Sequence, residues 1–223
     1  EAVIPQRSKL FSLPPMGTGT PQLESMISLL VRTSYAHSVG TRQLIGGVFA
    51  QAEPEIADLA YAKFFRSLAA TINGLGKYAE LFVLATEQLT GQKDLRKHTL
   101  LPWKGFFPHN GQGLLAKHPQ WCPVCLREQP SKGTGSVFPL AWYLEASRVC
   151  AMHQHPLESC CPQCGKTQPF LPRYPDLGVC DHCRSPLVSH PPDVGGAYLN
   201  QDDQLVAEAI GDMLVAQTRR DFD

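Results

Sequence analysis

Leu23, Met26, Ile27, Leu30 and Val31 recur at helical spacing and place one apolar stripe along the chain. The pattern predicts a helix that begins near Gln22 and ends near Ser38, with Gly40 as its stop signal. Thr41 reads as the N-cap of a second helix over residues 42–51, so the two form a helix-turn-helix candidate across a short glycine turn. A third helix is predicted over 53–72, with Pro54 in its first turn, Asn73 and Gly74 closing it, and an inward face of Ile56, Leu59, Ala60, Phe64 and Leu68. A fourth covers 76–90, with Leu81, Leu84, Ala85 and Leu89 inward and Gly91 as its stop; residues 94–98 add one further turn.

These periods divide the chain. Residues 1–20, rich in Pro, Gly, Ser and Thr, read as an extended arm, and 21–105 as an all-α domain. Residues 106–120 form a linker that carries His109 and His118. From 121 to 190 the helical period disappears into short stretches broken by prolines. The apolar run from Val137 to Leu144 reads there as a strand or buried turn. Residues 191–223 open as a Pro- and Gly-rich linker and close in an acidic amphipathic helix over 201–218, with Leu205, Val206, Ile210, Met213 and Leu214 on one face. Such a face needs a cover, which points to the first helix of a further unit or to a docking helix for a basic partner; packing on its own domain is the alternative.

Composition adds that the chain can build a core, with 43% hydrophobic residues in 223, while no apolar run reaches the roughly 18–20 residues of a membrane span. Net charge is zero but uneven: residues 1–120 hold twelve basic and eight acidic side chains, 121–190 six and five, and 191–223 two and seven. Attraction to phosphate alone is therefore too weak to hold DNA, although the first half contributes.

The chemistry lies in the proline-broken region. Four pairs with two-residue gaps occur there: Cys122 with Cys125, Cys150 with His153, Cys161 with Cys164, and Cys180 with Cys183. One turn of that spacing presents two ligands to a single ion, and two pairs complete a tetrahedral zinc site. The predicted sites are Cys122, Cys125, Cys150 and His153, and Cys161, Cys164, Cys180 and Cys183. His155 could replace His153, and Cys160 could replace Cys161, but only the chosen residues keep the gap. Paired cysteines with a matching histidine favour two zinc ions over disulfides, in a reducing, cytoplasmic setting. Four protein donors close a site, whereas catalytic zinc keeps a position for water. No His-x-Glu deaminase motif, phosphate loop or His-Glu-x-x-His motif is present, so no catalytic residue is assigned and an enzyme is not expected.

Several strings carry a family resemblance. They are Trp121, Cys122, Pro123, Val124, Cys125 and Leu126; then Trp142; then Val149 to His153 with Leu157; then Cys161 to Gly165; then Gly178 to Cys183 and Leu187. With Leu23-Glu24-Ser25 opening a helix that reaches Arg32, and Leu89, Thr90, Gly91, Leu95 and Thr99 to Pro102, the chain resembles the TniQ family over about residues 20–190. Met26 stands where that pattern usually has Leu. The resemblance implies a helix-turn-helix region followed by tandem zinc ribbons. It implies a transposition target-selection adaptor, bridging target DNA or a CRISPR effector ribonucleoprotein and the AAA+ ATPase TnsC. A free-standing, zinc-stapled DNA-binding transcription regulator is the alternative. No small-molecule substrate and no membrane are expected. Partner or nucleic-acid contact is expected at the polar positions of the opening helices, Arg32, His37, Arg42 and Gln43.

Overall fold

The computed structural model describes residues 8–59, 63–108, 111–129, 135–188 and 200–219. Ala60, His109 and the linker at 191–199 lie outside them.

Helix α1, Met26–Ala36, starts four residues later than the periodicity suggests because Ser25 is a better start than Gln22: its side chain caps the Ser28 N–H. Leu23 and Glu24 instead run extended, with Glu24 bridged to Pro139. α1 is central and covered on all sides; every residue from Met26 to Ser34 is buried. Its polar residues are satisfied locally. Thr33 and Ser34 donate their hydroxyls to the Leu29 and Leu30 carbonyls, and Ser28 donates to Glu24. The helix stops at Ser38, which takes a left-handed φ of 55° while Val39 and Ser38 donate back to Ser34 and Tyr35.

Gly40, expected as the stop signal, is the N-cap of the next helix, and Thr41 is its first residue. That helix runs as α2, Thr41–Leu44, a π turn at Ile45–Phe49, and α3, Ala50–Ala52. Gly46 and Gly47 sit in the π turn, where small residues let the helix widen. The single helix predicted over 53–72 is broken: α4 covers Pro54–Ala57, then come a π turn at Phe64–Leu68 and a 3-10 turn at Ala69–Asn73. Its face still packs inward through Ile56 and Phe64. Helix α5, Lys77–Thr90, matches its prediction and ends at Gly91, which adopts φ 73°. Leu84 is the exception. It lies 55% exposed, and Phe82, one position away from the counted stripe, fills the core between Phe49 and Phe64.

The arm is not free. Leu10 is buried, and the Lys9 and Leu10 N–H groups both donate to the Leu89 carbonyl. Gly17 turns the arm tightly at φ +67°; a Cβ there would lie 2.1 Å from the Gln22 carbonyl oxygen.

Residues 137–144 join the two halves. Ser25 donates its N–H to the Phe138 carbonyl, Leu140 to Leu23, and Phe138 to the Ser28 hydroxyl. Phe138, Trp142 and Tyr143 then enter the same core as α1, together with Trp121, Cys150, Cys180 and Leu187. The helical and cysteine-bearing halves therefore share one continuous core.

Helix α6, Pro123–Glu128, carries the first cysteine pair. Beyond it, the described residues form no extended strands; isolated bridges at Val149–Pro156, Cys160–Thr167 and Val179–Pro186 close the turns, and Trp121–Glu158 and Leu115–Leu144 tie them back to earlier residues. Full ribbons were expected; at two of these bridges Pro156 and Pro186 lack the N–H that would extend the ladder. Helix α7, Gln201–Arg219, packs on the chain's own domain through Ile210 and Leu214, while Leu205 and Val206 of its predicted apolar face stay exposed. Leu214 and Ile210 meet Leu23, Leu100 and Leu140. Buried Gln217 accepts from the Trp103 indole at 2.7 Å and donates to the Lys97 carbonyl at 2.7 Å.

Candidate metal centres and partner surface

Three of the four ligand pairs sit in one repeated turn. The first ligand's N–H donates to the carbonyl five residues on: Cys150 to His155, Cys161 to Lys166, Cys180 to Ser185. The N–H four residues on donates back to it, from Gln154, Gly165 and Arg184. Those three residues have φ of 51°, 70° and 65°, so the chain reverses there and leaves the two donors side by side. The remaining pair is built differently. Cys122 is the N-cap of α6 and Cys125 lies in its first turn, with Pro123 pre-set for the first helical position.

These turns bring together the two predicted donor sets. Cys122, Cys125, Cys150 and His153 converge, as do Cys161, Cys164, Cys180 and Cys183; within each set the donor atoms lie within 4.8 Å of one another. Cys125 Sγ is 3.5 Å from Cys150 Sγ and 3.2 Å from His153 Nδ1. Cys161 Sγ is 3.7 Å from Cys183 Sγ, and Cys164 Sγ is 3.7 Å from Cys180 Sγ. A tetrahedral zinc with bonds of about 2.3 Å needs sulfur–sulfur edges of about 3.8 Å, so both sets fit a metal ion. The competing donors stay outside. His155 holds the Pro156 carbonyl through Nδ1, Cys160 is exposed, and exposed His118 joins neither set.

The electrostatics explain why a cation belongs there. Hydrogen bonds from the Cys122 and Cys125 thiols hold Cys150 down to about 2. The neighbouring Cys122 and Cys150 sulfurs push Cys125 far up. In the second set, burial pushes Cys161 up to about 12, while the Ser185 N–H and hydroxyl hold Cys183 down to about 6. Crowded sulfurs cannot all ionise together until a cation neutralises them, and binding then releases protons.

Supporting groups surround the donors. His153 presents Nδ1 to the sulfurs and Nε2 to Glu128 Oε2 at 3.1 Å, the contact that fixes a ligand imidazole's tautomer. Gln168 donates to Cys180 Sγ at 3.4 Å and accepts from the Asp181 N–H at 2.8 Å. Spacing alone does not announce either residue; Glu128 is legible only as the position three beyond Cys125 on one helix turn.

The expected contact residues separate. Arg32 is turned inward, 1% exposed, with Nη1 2.6 Å from Glu24 Oε2. Its place is in the core of the helical half rather than on a surface. His37 accepts the Phe11 N–H at 3.0 Å and stacks on that ring at 4.2 Å. Arg42 and Gln43 are exposed beside the α1–α2 turn; Arg42 lies over Phe65 at 5.0 Å, and Gln43 accepts from the Gly40 N–H.

The architecture defines a class: a helical domain fused through one core to two four-donor clusters, one of three cysteines and a histidine and one of four cysteines, each able to hold a metal ion. The TniQ family model matches residues 15–157, well over half of the chain, and the chain belongs to the TniQ family. No curated protein matches it. The family consists of non-catalytic adaptors that serve transposon target selection. The match takes in the helix pair and the first donor set; the second set and α7 lie beyond it. Among the described residues, no helix is long and apolar enough to cross a membrane.

Proposed function

We propose that the protein is a transposition target-selection adaptor. It links a target-recognition element, either a DNA site or a CRISPR effector complex, to the AAA+ regulator TnsC. The observation that carries this reading is the family match across the helix pair and first metal set, joined to a fold whose donor sets are both closed. Closed sets favour zinc as scaffold and leave no coordination position for chemistry. The α1–α2 pair is the helix-turn-helix element of this reading, with His37, Arg42 and Gln43 near its turn. The two zinc ions hold the cysteine-bearing half against α1 as a rigid platform.

Affinity capture with a purified TnsC-type AAA+ ATPase from the same source tests the reading. Retention of the ATPase without turnover of DNA is expected. Loss of the ATPase from the captured fraction, together with tight binding to one DNA sequence by the protein alone, would favour a free-standing transcription regulator.

A further inference from the structure

A groove of about 1020 Å³ runs between the α1–α2 turn and the flank of the last knuckle. Its walls carry three arginines, Arg42, Arg173 and Arg184, and two tyrosines, Tyr35 and Tyr174. Gly40 lets the walls approach: a Cβ there would lie 3.2 Å from the Arg173 carbonyl oxygen.

The cations are held in place before any ligand arrives. Arg184 lies over the Tyr174 ring at 4.0 Å, projected by the left-handed residue that closes the knuckle. Arg173 donates Nε to Asp181 Oδ2 at 3.1 Å and Nη2 to the Asp181 carbonyl at 3.0 Å, yet its side chain remains 59% exposed. A guanidinium has five N–H donors, so others remain for a ligand. Of the carboxylates nearby, Asp181 is paired with Arg173, while Asp176 also lines the groove, its Oδ1 accepting from the Ser136 hydroxyl and the Gly178 N–H, so the three arginines face one unpaired acidic group. Tyr35 and Tyr174 are 41% and 51% exposed; Tyr35 lies beside Gly135, and Tyr174 carries Arg184 on one face.

We infer that this groove binds a single-stranded stretch of nucleic acid, with the arginines on successive phosphates and the two tyrosines under unstacked bases. This rests on the adaptor reading and names one surface that would meet the target. Exposed rings beside fixed guanidiniums are the combination that strand-binding grooves use, because every base has a face to stack. A duplex hides its base faces from the tyrosines. An acidic peptide would use the arginines and leave the rings idle. An RNA loop and a displaced DNA strand offer the same chemistry.

Fluorescence anisotropy with the full chain tests this, using labelled single-stranded DNA, single-stranded RNA, a duplex of the same sequence, and a poly-glutamate peptide. The strands should bind tightest, and the DNA and RNA arms identify the source. Three phosphate contacts give a salt slope of about −2, so a fourfold rise in salt should weaken binding about twentyfold. Arg42→Gln and Arg184→Gln should each shrink that slope by about 0.7. Tyr174→Leu should weaken strand binding about tenfold with little change in the slope. Zinc content and thermal midpoint confirm that each variant is folded. Equal or tighter binding of the duplex or the peptide overturns the inference, as do folded variants that bind like the wild type. TnsC capture by the same variants separates the outcomes: intact capture without strand binding removes the groove proposal and leaves the adaptor reading standing.

Discussion

The helical half and the cysteine-bearing half solve the same problem by different means. The first buries large side chains: Phe49, Phe64 and Phe82 stack, and α1 is enclosed on every side. It also buries an ion pair, Glu24–Arg32, whose carboxylate additionally takes the Ser28 hydroxyl and the Met16 N–H. The second half has short turns, isolated bridges and few helical residues of its own. It gathers eight potential donors in two sets and borrows its core through residues 137–144. One half is held by apolar area; on the proposed reading the other is held by metal–ligand bonds, and the difference tells which perturbation each will feel.

Metal removal should have the largest effect, since structural zinc contributes on the order of 10 kcal/mol per site to folding of small metal domains. With a chelator, amide hydrogen exchange should lose protection across residues 150–187 while α5 keeps most of its own. Protection retained equally in both halves would break the contrast. Arg32→Ala should come next. It leaves the buried Glu24 carboxylate unpaired and should cost about 3–5 kcal/mol by urea denaturation, with metal content unchanged. Glu128→Gln tests the support around the first site; it should weaken metal binding there about 10- to 100-fold and spare the second, read by competition with a coloured chelator.

The smallest effect is expected at His98. Burial holds its pKa below the ordinary 6.5, and its Nδ1 lies 2.7 Å from the Glu24 carbonyl oxygen. The unfolded chain therefore takes up the proton first as pH falls. The contribution is fully present above about 6.5 and is lost as pH drops from there through the folded value. An NMR titration of the ring should show a midpoint under 6.5; one at or above it would contradict the burial.

Residue by residue, the two halves also differ in how far the sequence reveals them. The two donor clusters were legible, because a two-residue gap is a local property of one turn and the histidine that keeps that gap is the one that joins the cysteines. The bounds of α5 were legible for a similar reason, since a glycine marks its end, although its period misplaced Leu84 and Phe82. Elsewhere the deciding forces are not local. Glu24 and Arg32 look like surface residues on a helix wheel and are buried because segments distant in sequence close over them. The break between Pro54 and Asn73 and the inward turn of Phe82 answer to tertiary packing that periodicity does not register. The cover of α7 depends on Gln217 reaching Trp103 and the Lys97 carbonyl, more than a hundred residues away. The groove is invisible in the sequence for the same reason, since it joins Arg42 to Arg173 and Arg184.

The central claim is that two closed metal sites organise the second half. Native mass spectrometry of the purified chain, with elemental analysis to identify the metal, tests it most directly. The account predicts two zinc ions per chain, falling to one when Cys161 and Cys164 are both replaced by Ser. One ion or none in the unaltered chain would contradict it.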